Sequence, residues 1–464
     1  KGTKVVKSNG LVIPEREVSV ATQKLDMDEM KGLAFESADQ ALQGQIAGLD
    51  VVANSGNLGS GMSMRVRGVS TISGSQEPLI VVDGHILENY TSTDVDLQDM
   101  DNTEQFANLL SVNVEDIKSI NVRKDASACA IWGARGSNGG IEITTRRGQK
   151  GKAKVSGSYK FSANWQPKGM KMLNGDGYTM MLKEGYFNPR QSDLTSNIVE
   201  LMYNQERPMY YNNYNKNTDW VDEVTGVGQQ HQFYVNVQGG GDQAQFRVSG
   251  GYDNETNYII QQRLNRFTTK MVLDYDVSTR IKFSSNFSLS YTKNKQNYTG
   301  ILDKAYNAMP NMSIYRYDGD VNTGEYFKMY PRAAAAGMVQ DGYTSYHLND
   351  RIENGNPVAI ANLSWKNSSQ YVITPQFEIE YKLLGIDNSK TMLNYRGEVY
   401  MNASSSTTSA YYPGELSTNT WSGGINQAAS STSRNLTFET THVLIFTPKM
   451  PKDHSLQMML RGQL

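Results

Sequence analysis

From residue 155 onward the chain is built of segments in which apolar and polar side chains alternate at period two. In 155–165, Val155, Gly157, Tyr159, Phe161, Ala163 and Trp165 share one face, while Ser156, Ser158, Lys160, Ser162 and Asn164 share the other. Side chains of a β-strand point alternately to its two faces, so this pattern specifies strands with one apolar and one polar face. Similar runs occupy 231–238, 244–253, 267–277, 281–292, 371–383, 391–402, 435–446 and 455–460, nine in all. The intervals between them are 65, 5, 13, 3, 78, 7, 32 and 8 residues long, so long alternates with short throughout. A β-sandwich gives no reason for such alternation. A transmembrane β-barrel does, with short turns on its periplasmic rim and long loops on its extracellular rim.

Composition supports that choice. The hydrophobic fraction is only 38%, and no run approaches the about 18 consecutive apolar residues of a membrane-spanning helix. Barrel strands expose every second side chain to lipid, so they score as polar on average. The 45 Lys+Arg against 47 Asp+Glu leave no basic surplus for nucleic-acid binding. The single cysteine, Cys129, excludes a disulfide scaffold and a cysteine zinc site. The opening KGTKVVKSNG has no apolar h-region, so the sequence is expected to begin at or within a mature protein.

The first 150 residues have a different texture, that of a compact mixed domain. If the short connections are periplasmic, strand 155–165 runs outward and this domain starts where it can fill the barrel. Three of its segments carry a family pattern: ALQGQIAGLDV at 41–51, MSMRVRGVSTISGSQEPLIVVDGHIL at 62–87, and VEDIKSINVRKDASACAIWGARGSNGGIEITTRRG at 114–148. These closely resemble the plug of TonB-dependent outer-membrane transporters, and more narrowly the SusC-like branch, the RagA/SusC family of Bacteroidota. NTDWVDEV at 217–224 also resembles that family. Cys129 and Trp132 stand where the family usually has a small residue and a Tyr, and are read as packing variants.

The expected fold is mainly β: a mixed α/β plug inside a large antiparallel barrel of about 22 strands, of which about nine are present. At the observed spacing such a barrel needs about 800 residues after the plug, so the chain is expected to be the first part of a longer protein. The expected divisions are an N-terminal segment 1–30, a plug 31–150, and barrel 151–464 with extracellular loops 166–230, 293–370 and 403–434.

The resemblance implies TonB-dependent active import of a large solute, a glycan or peptide, across the outer membrane. It also implies a SusD-like surface lipoprotein and TonB with ExbB and ExbD as partners, besides lipid. Two other readings share these strands: a siderophore or cobalamin receptor of the same mechanism, and a non-transporting structural or adhesive barrel in a surface complex. The solute and the oligomeric state are not encoded in the motifs.

Candidate site residues fall in three groups. Arg65, Arg67, Gly68, Asp83, Gly84, Asp125, Gly133, Arg135, Gly136, Gly139 and Gly140 form the plug signature, its charges expected to pair in a polar lumen and latch the plug to the barrel. Asp83-Gly84 after Leu79–Val82 reads as a strand ending in a tight turn. Thr3, Lys4, Val5, Val6 and Lys7 are the candidate strand for β-augmentation by TonB. Tyr203, Tyr210, Tyr211, Tyr214, Tyr315, Tyr317 and Tyr326 in the long loops offer aromatic faces suited to sugars or peptides, or to ordinary packing.

No cofactor or metal is expected. Asp94, Asp96, Asp99 and Asp101 fail the EF-hand spacing, so 94–101 reads as a solvated acidic loop and not a calcium site. GNLGSG at 56–61 lacks the lysine of a P-loop. His85, His231, His347, His442 and His454 show no ligand spacing, and no nucleophile elbow is present, so enzymatic chemistry is not expected.

Overall fold

In the computed structural model of the protein, the described residues are 5–8, 11–14, 22–30, 32–33, 35, 37–53, 56–66, 68, 77–87, 111–124, 129–167, 169–190, 208–327, 339–340, 343–344, 355–385, 391–416, 425–450 and 456–464. The acidic loop 94–101, Arg67, Asp125, Thr3, Lys4 and Tyr203 lie outside them, as do the side chains of Val5, Val6, Lys7 and Tyr210.

The N-terminal part begins with a hairpin, β1 (Val5–Ser8) and β2 (Leu11–Pro14). Strands β3 (Thr22–Asp26), β6 (Leu79–Val82), β7 (His85–Ile86), β8 (Ile117–Arg123) and β9 (Gly140–Thr145) form a five-stranded sheet in the order β3-β8-β9-β6-β7. Helix α1 (Ala38–Leu42) and a second hairpin, β4 (Leu49–Ala53) with β5 (Met62–Val66), complete the plug. Its core holds Leu42, Ile117, Ile120, Val122, Ile141 and Ile143, all fully buried. The expected turn at Asp83-Gly84 joins β6 to β7, with φ of 50° and 99° at its two residues. Asp and Gly are the residues that adopt this left-handed pair at least cost.

The second part is one antiparallel sheet of nine consecutive strands: β10 (Gly151–Trp165), β11 (Val227–Gly240), β12 (Ala244–Thr256), β13 (Arg263–Asp276), β14 (Ile281–Gln296), β19 (Trp365–Leu384), β20 (Met392–Tyr412), β21 (Gln427–Thr447) and β22 (Met458–Gln463). Two short hairpins, β15 (Tyr315–Asp318) with β16 (Val321–Tyr326) and β17 (Val339–Gln340) with β18 (Tyr343–Thr344), lie in the connection before β19. The sheet therefore contains the nine strands expected, as part of a barrel.

The strands run further than the alternating segments. The connections become 166–226, 241–243, 257–262, 277–280, 297–364, 385–391, 413–426 and 448–457; the long ones contract, the short ones change by two residues at most, and long still alternates with short. The expected loop 403–434 shrinks most, because Ser405, Thr407 and Ser409 stay paired with Arg434, Thr432 and Ser430. Alternation is lost there since both faces are polar, yet the backbone ladder continues.

Register fixes which face each side chain takes. Tyr159, Phe233, Tyr252, Phe267, Tyr291 and Tyr371 are successive cross-strand partners on the outward face, away from the plug. On β19 the outward apolar band runs from Tyr371 to Tyr381 through Ile373, Phe377 and Ile379. Ten residues at about 3.4 Å each, tilted by about 40°, give a band about 26 Å tall, the height of a transmembrane barrel's apolar belt.

At the long-loop rim, helices α2 (Gly175–Arg190), α3 (Pro208–Tyr214), α4 (Trp220–Val224), α5 (Ile301–Asn307) and α6 (Pro357–Leu363) form a separate cap. Its core includes Trp220, Val224, Ile301, Met309, Met312 and Ile360. The NTDW segment organises it: Asp219 caps α4 by accepting from the Asp222 amide, and Trp220 donates its indole N–H to the Met309 carbonyl at 2.8 Å.

Candidate functional site at the plug–barrel seam

The inward faces of the sheet hold the plug through two chemically different sets of contacts. One is charged and centres on the β6–β7 hairpin. Asp83 receives a hydrogen bond from Lys270 Nζ of β13 at 2.9 Å and one from Asn286 Nδ2 of β14 at 3.2 Å. Within the plug, Thr145 donates to it from its amide at 2.9 Å and its hydroxyl at 2.6 Å. Burial alone would raise the Asp83 carboxyl, but Lys270 and the Thr145 donors outweigh it and hold the group at about 2.

Two residues on, His85 faces strands β20 and β21. Its Nε2 lies 2.8 Å from Glu398 and its Nδ1 3.4 Å from Glu439, and the ring stacks on Tyr400. Burial works against a charged imidazole here, yet the two carboxylates prevail and raise it to about 9. His85 is therefore a cation at neutral pH, held between two barrel carboxylates.

Asp116 makes the third charged contact. Its carboxylate accepts from the Tyr234 hydroxyl at 2.6 Å and the Ser249 hydroxyl at 2.7 Å, with Arg247 at 3.6 Å. Nearby, Lys160 pairs with Glu115 at 2.5 Å, and Asn113 donates to the Thr268 hydroxyl at 3.0 Å.

The other set is neutral. The plug loop 56–60 enters a row of barrel amides near the long-loop rim. Asn257 donates to the Gly56 carbonyl at 2.8 Å, Asn294 and Gln296 donate to the Leu58 carbonyl at 2.7 and 2.9 Å, and Gln262 accepts from the Leu58 amide at 3.3 Å. GNLGSG is thus a segment gripped through its backbone, and Gly59, with φ +71°, packs against Asn294 and Leu264.

Of the sequence-derived plug residues, Asp83 reaches the barrel. Arg65 lies on β5 opposite Asp50 and Arg135 is exposed beside a cleft of about 430 Å³ that includes Tyr400 and Glu439. At Asp83 the partner is a barrel lysine, Lys270. The glycines serve the plug's own turn: Gly139 has φ +89°, and a Cβ on Gly140 would collide with the Trp132 ring. Gly68, Gly84 and Gly133 also have positive φ, while Gly136 is packed against Cys129. Cys129 is buried and its thiol points to the Arg123 carbonyl, as a packing residue does.

The loop tyrosines divide. Tyr214 is 4% exposed and packs edge-on against Phe327, so it belongs to the cap's core and does not face solvent. Tyr211 is half-buried. Tyr315 and Tyr326 stack on each other, and Lys216 sits over the Tyr317 ring at 4.3 Å. His85, Asp116, Lys270, Glu398 and Glu439 were missed as a site because the carboxylates of His85 lie over three hundred residues away in sequence.

Residues 14–140 match the model of the TonB-dependent receptor plug domain. The chain is 26% identical over 431 residues to the TonB-dependent receptor SusC of Bacteroides thetaiotaomicron, covering 91% of this chain and 39% of that protein. It is 30% identical over 288 residues to the TonB-dependent receptor P26 of Formosa agariphila, covering 61% of this chain and 26% of that one. Among solved structures, the RagAB peptide importer in its closed-closed state matches with a TM-score of 0.71 at 17% identity, over 96% of this chain and 47% of that chain. The chain thus spans less than half the length of these relatives.

Plug, sheet and seam define the class: a TonB-dependent receptor plug domain followed by the opening strands of an outer-membrane β-barrel. Within that class the chain is SusC-like.

Proposed function

We propose that the whole protein imports a large solute, a glycan or a peptide, across the outer membrane at the expense of TonB-transmitted energy, and that a SusD-like lipoprotein works with it. The observation that carries this reading is the seam. A plug that merely filled a structural barrel could be sealed by apolar packing, whereas here buried ions and amides face each other, contacts that lose little when water replaces the partner. Such a plug can be both tight and removable. The named relatives point the same way, toward SusC and toward a peptide importer.

In this reading residues 31–150 are the plug and 151–464 the first part of the barrel. Residues 3–7 supply the strand that TonB augments, and the plug signature, Asp83 above all, forms the latch. The protein is a transporter and not an enzyme. Solute meets the loop surface that includes the exposed Tyr315 and the half-buried Tyr317.

The test uses the full-length protein in cells. Deleting residues 1–10 should abolish energy-dependent uptake while outer-membrane abundance and surface binding of solute stay normal. Co-purification in mild detergent should bring down a stoichiometric lipoprotein. Uptake unaffected by the deletion would sink the coupling strand; a protein whose function ignores the proton gradient altogether would instead be a structural barrel.

A further inference from the structure

The outward faces of the nine strands carry charge in one place only. Following the register, the outward positions include Arg263 on β13, Lys293 and Lys295 on β14, and Arg434 on β21, with no Asp or Glu on that face of any of the nine. All four lie one or two outward positions beyond the last apolar residue toward the long-loop, extracellular rim: past Phe267, past Tyr291, and past Leu436. On β13, β14 and β19–β21 the opposite rim ends in Tyr275, Phe283, Tyr381, Tyr395 and Phe446 and has no outward cation. Carboxylates near the extracellular end, Asp253 and Glu255, face inward.

This placement costs stability. Arg263 and Lys295 are direct cross-strand partners, and like charges directly opposite destabilise a sheet. Among the described residues none of the four enters a salt bridge; Lys295 donates to the amide oxygen of Gln261 at 3.0 Å. Between the β13–β14 group and Arg434, three strands or about 14 Å away, the outward face offers Ser369, Asn367, Ser405 and Thr407. The surface is therefore cationic, flanked by hydroxyl and amide donors, and sits directly above the apolar band on the extracellular side.

We infer that this belt docks the phosphate groups of the glycolipid that makes up the outer leaflet. The acyl chains of such a lipid lie along the Phe267–Tyr291–Tyr371 band. That depth brings its headgroup phosphates level with Arg263, Lys293 and Lys295 and its sugar hydroxyls level with Ser369, Asn367 and Thr407. Charge complementarity and continuity with the lipid-facing band select this occupant over a protein, whose own apolar surface would find none to cover above the band.

The experiment titrates full-length protein in nanodiscs with lipid A, read by native mass spectrometry, and repeats it with dephosphorylated lipid A. The variant combines Arg263→Gln, Lys293→Gln and Lys295→Gln; Lys293→Gln alone, a single exposed change, guards against misfolding. Affinity for phosphorylated lipid A should fall about fivefold for each cation removed, while binding of the dephosphorylated lipid is the same in wild type and variants. A charge-matched control at the other rim, Lys152→Gln, Lys154→Gln and Lys449→Gln, should bind as wild type does. Unchanged affinity in the triple variant, equal binding of the two lipids by wild type, or an equal loss in the control would each overturn the assignment.

Discussion

The imidazole of His85 lies parallel to the ring of Tyr400, with centroids 3.9 Å and planes 4° apart, at the tip of the plug hairpin. Tyr400 gives the ring an apolar floor, and Glu398 and Glu439 take its two N–H groups. The contact joins plug to barrel through one titrating group.

A pH dependence follows. Docking holds His85 at about 9, above the ordinary 6.5 that it has when released. The contribution is then complete below about 6.5 and is lost as pH rises through about 9. Hydrogen exchange of peptides spanning 79–87 in the full-length protein, corrected for intrinsic rates, should show protection falling over that window. His85→Gln should flatten the dependence; an unchanged slope in that variant would assign the effect to another group.

Asp83 and Lys270 make a second, separable prediction. Asp83→Asn keeps the left-handed turn, since Asn tolerates positive φ, but leaves Lys270 buried beside a neutral amide. Breaking one side of a buried pair costs about 3–5 kcal/mol, so opening of the hairpin should become correspondingly easier by exchange. Adding Lys270→Met should restore much of that loss. With the carboxyl held at about 2, the contact is intact above about pH 4 and fails only as pH drops through about 2. If the double variant opens as readily as Asp83→Asn, the pair is not what holds the hairpin.

Within the plug, Gly139→Ala combines two penalties. The backbone sits at φ +89°, and a Cβ would lie 3.0 Å from the Arg123 carbonyl and 3.3 Å from Val66. Strain of this kind costs about 1–3 kcal/mol. Faster proteolysis of the plug segment 111–145, with the barrel strands as protected as before, is the expected readout.

Strand number was legible because lipid on one side and a wet lumen on the other force period-two alternation, as in Val155–Trp165. Strand ends were not, because above the membrane both faces are wet. Ser405, Thr407 and Ser409 read as loop, though they pair with Arg434, Thr432 and Ser430. The same effect hid the ends of β12 and β13, where Asn254, Thr256, Arg263 and Asn265 are polar and outward, so a thirteen-residue loop is a six-residue turn. Local chemistry made the Asp83-Gly84 turn readable. The latch was unreadable, since Lys270, Glu398 and Glu439 look like ordinary lumen-facing charges until the register brings them to the hairpin.

The amide seam should open independently of the charged one. Asn294 and Gln296 both donate to the Leu58 carbonyl, so either alone can be lost with little effect, but Asn294→Leu with Gln296→Leu strands a buried acceptor. That costs about 1–3 kcal/mol, and it falls on the loop 56–60, whose barrel partners Asn257, Gln262, Asn294 and Gln296 are distinct from Lys270, Asn286, Glu398 and Glu439, the partners of Asp83 and His85. Effects at sites without shared partners add. Exchange at 56–66 should therefore accelerate in the double variant while 79–87 keeps its wild-type protection and its pH dependence. If both segments loosen together, the plug is released as one rigid body, and an importer built on it must expel the whole domain; if only the first loosens, the plug can be opened piece by piece from either seam.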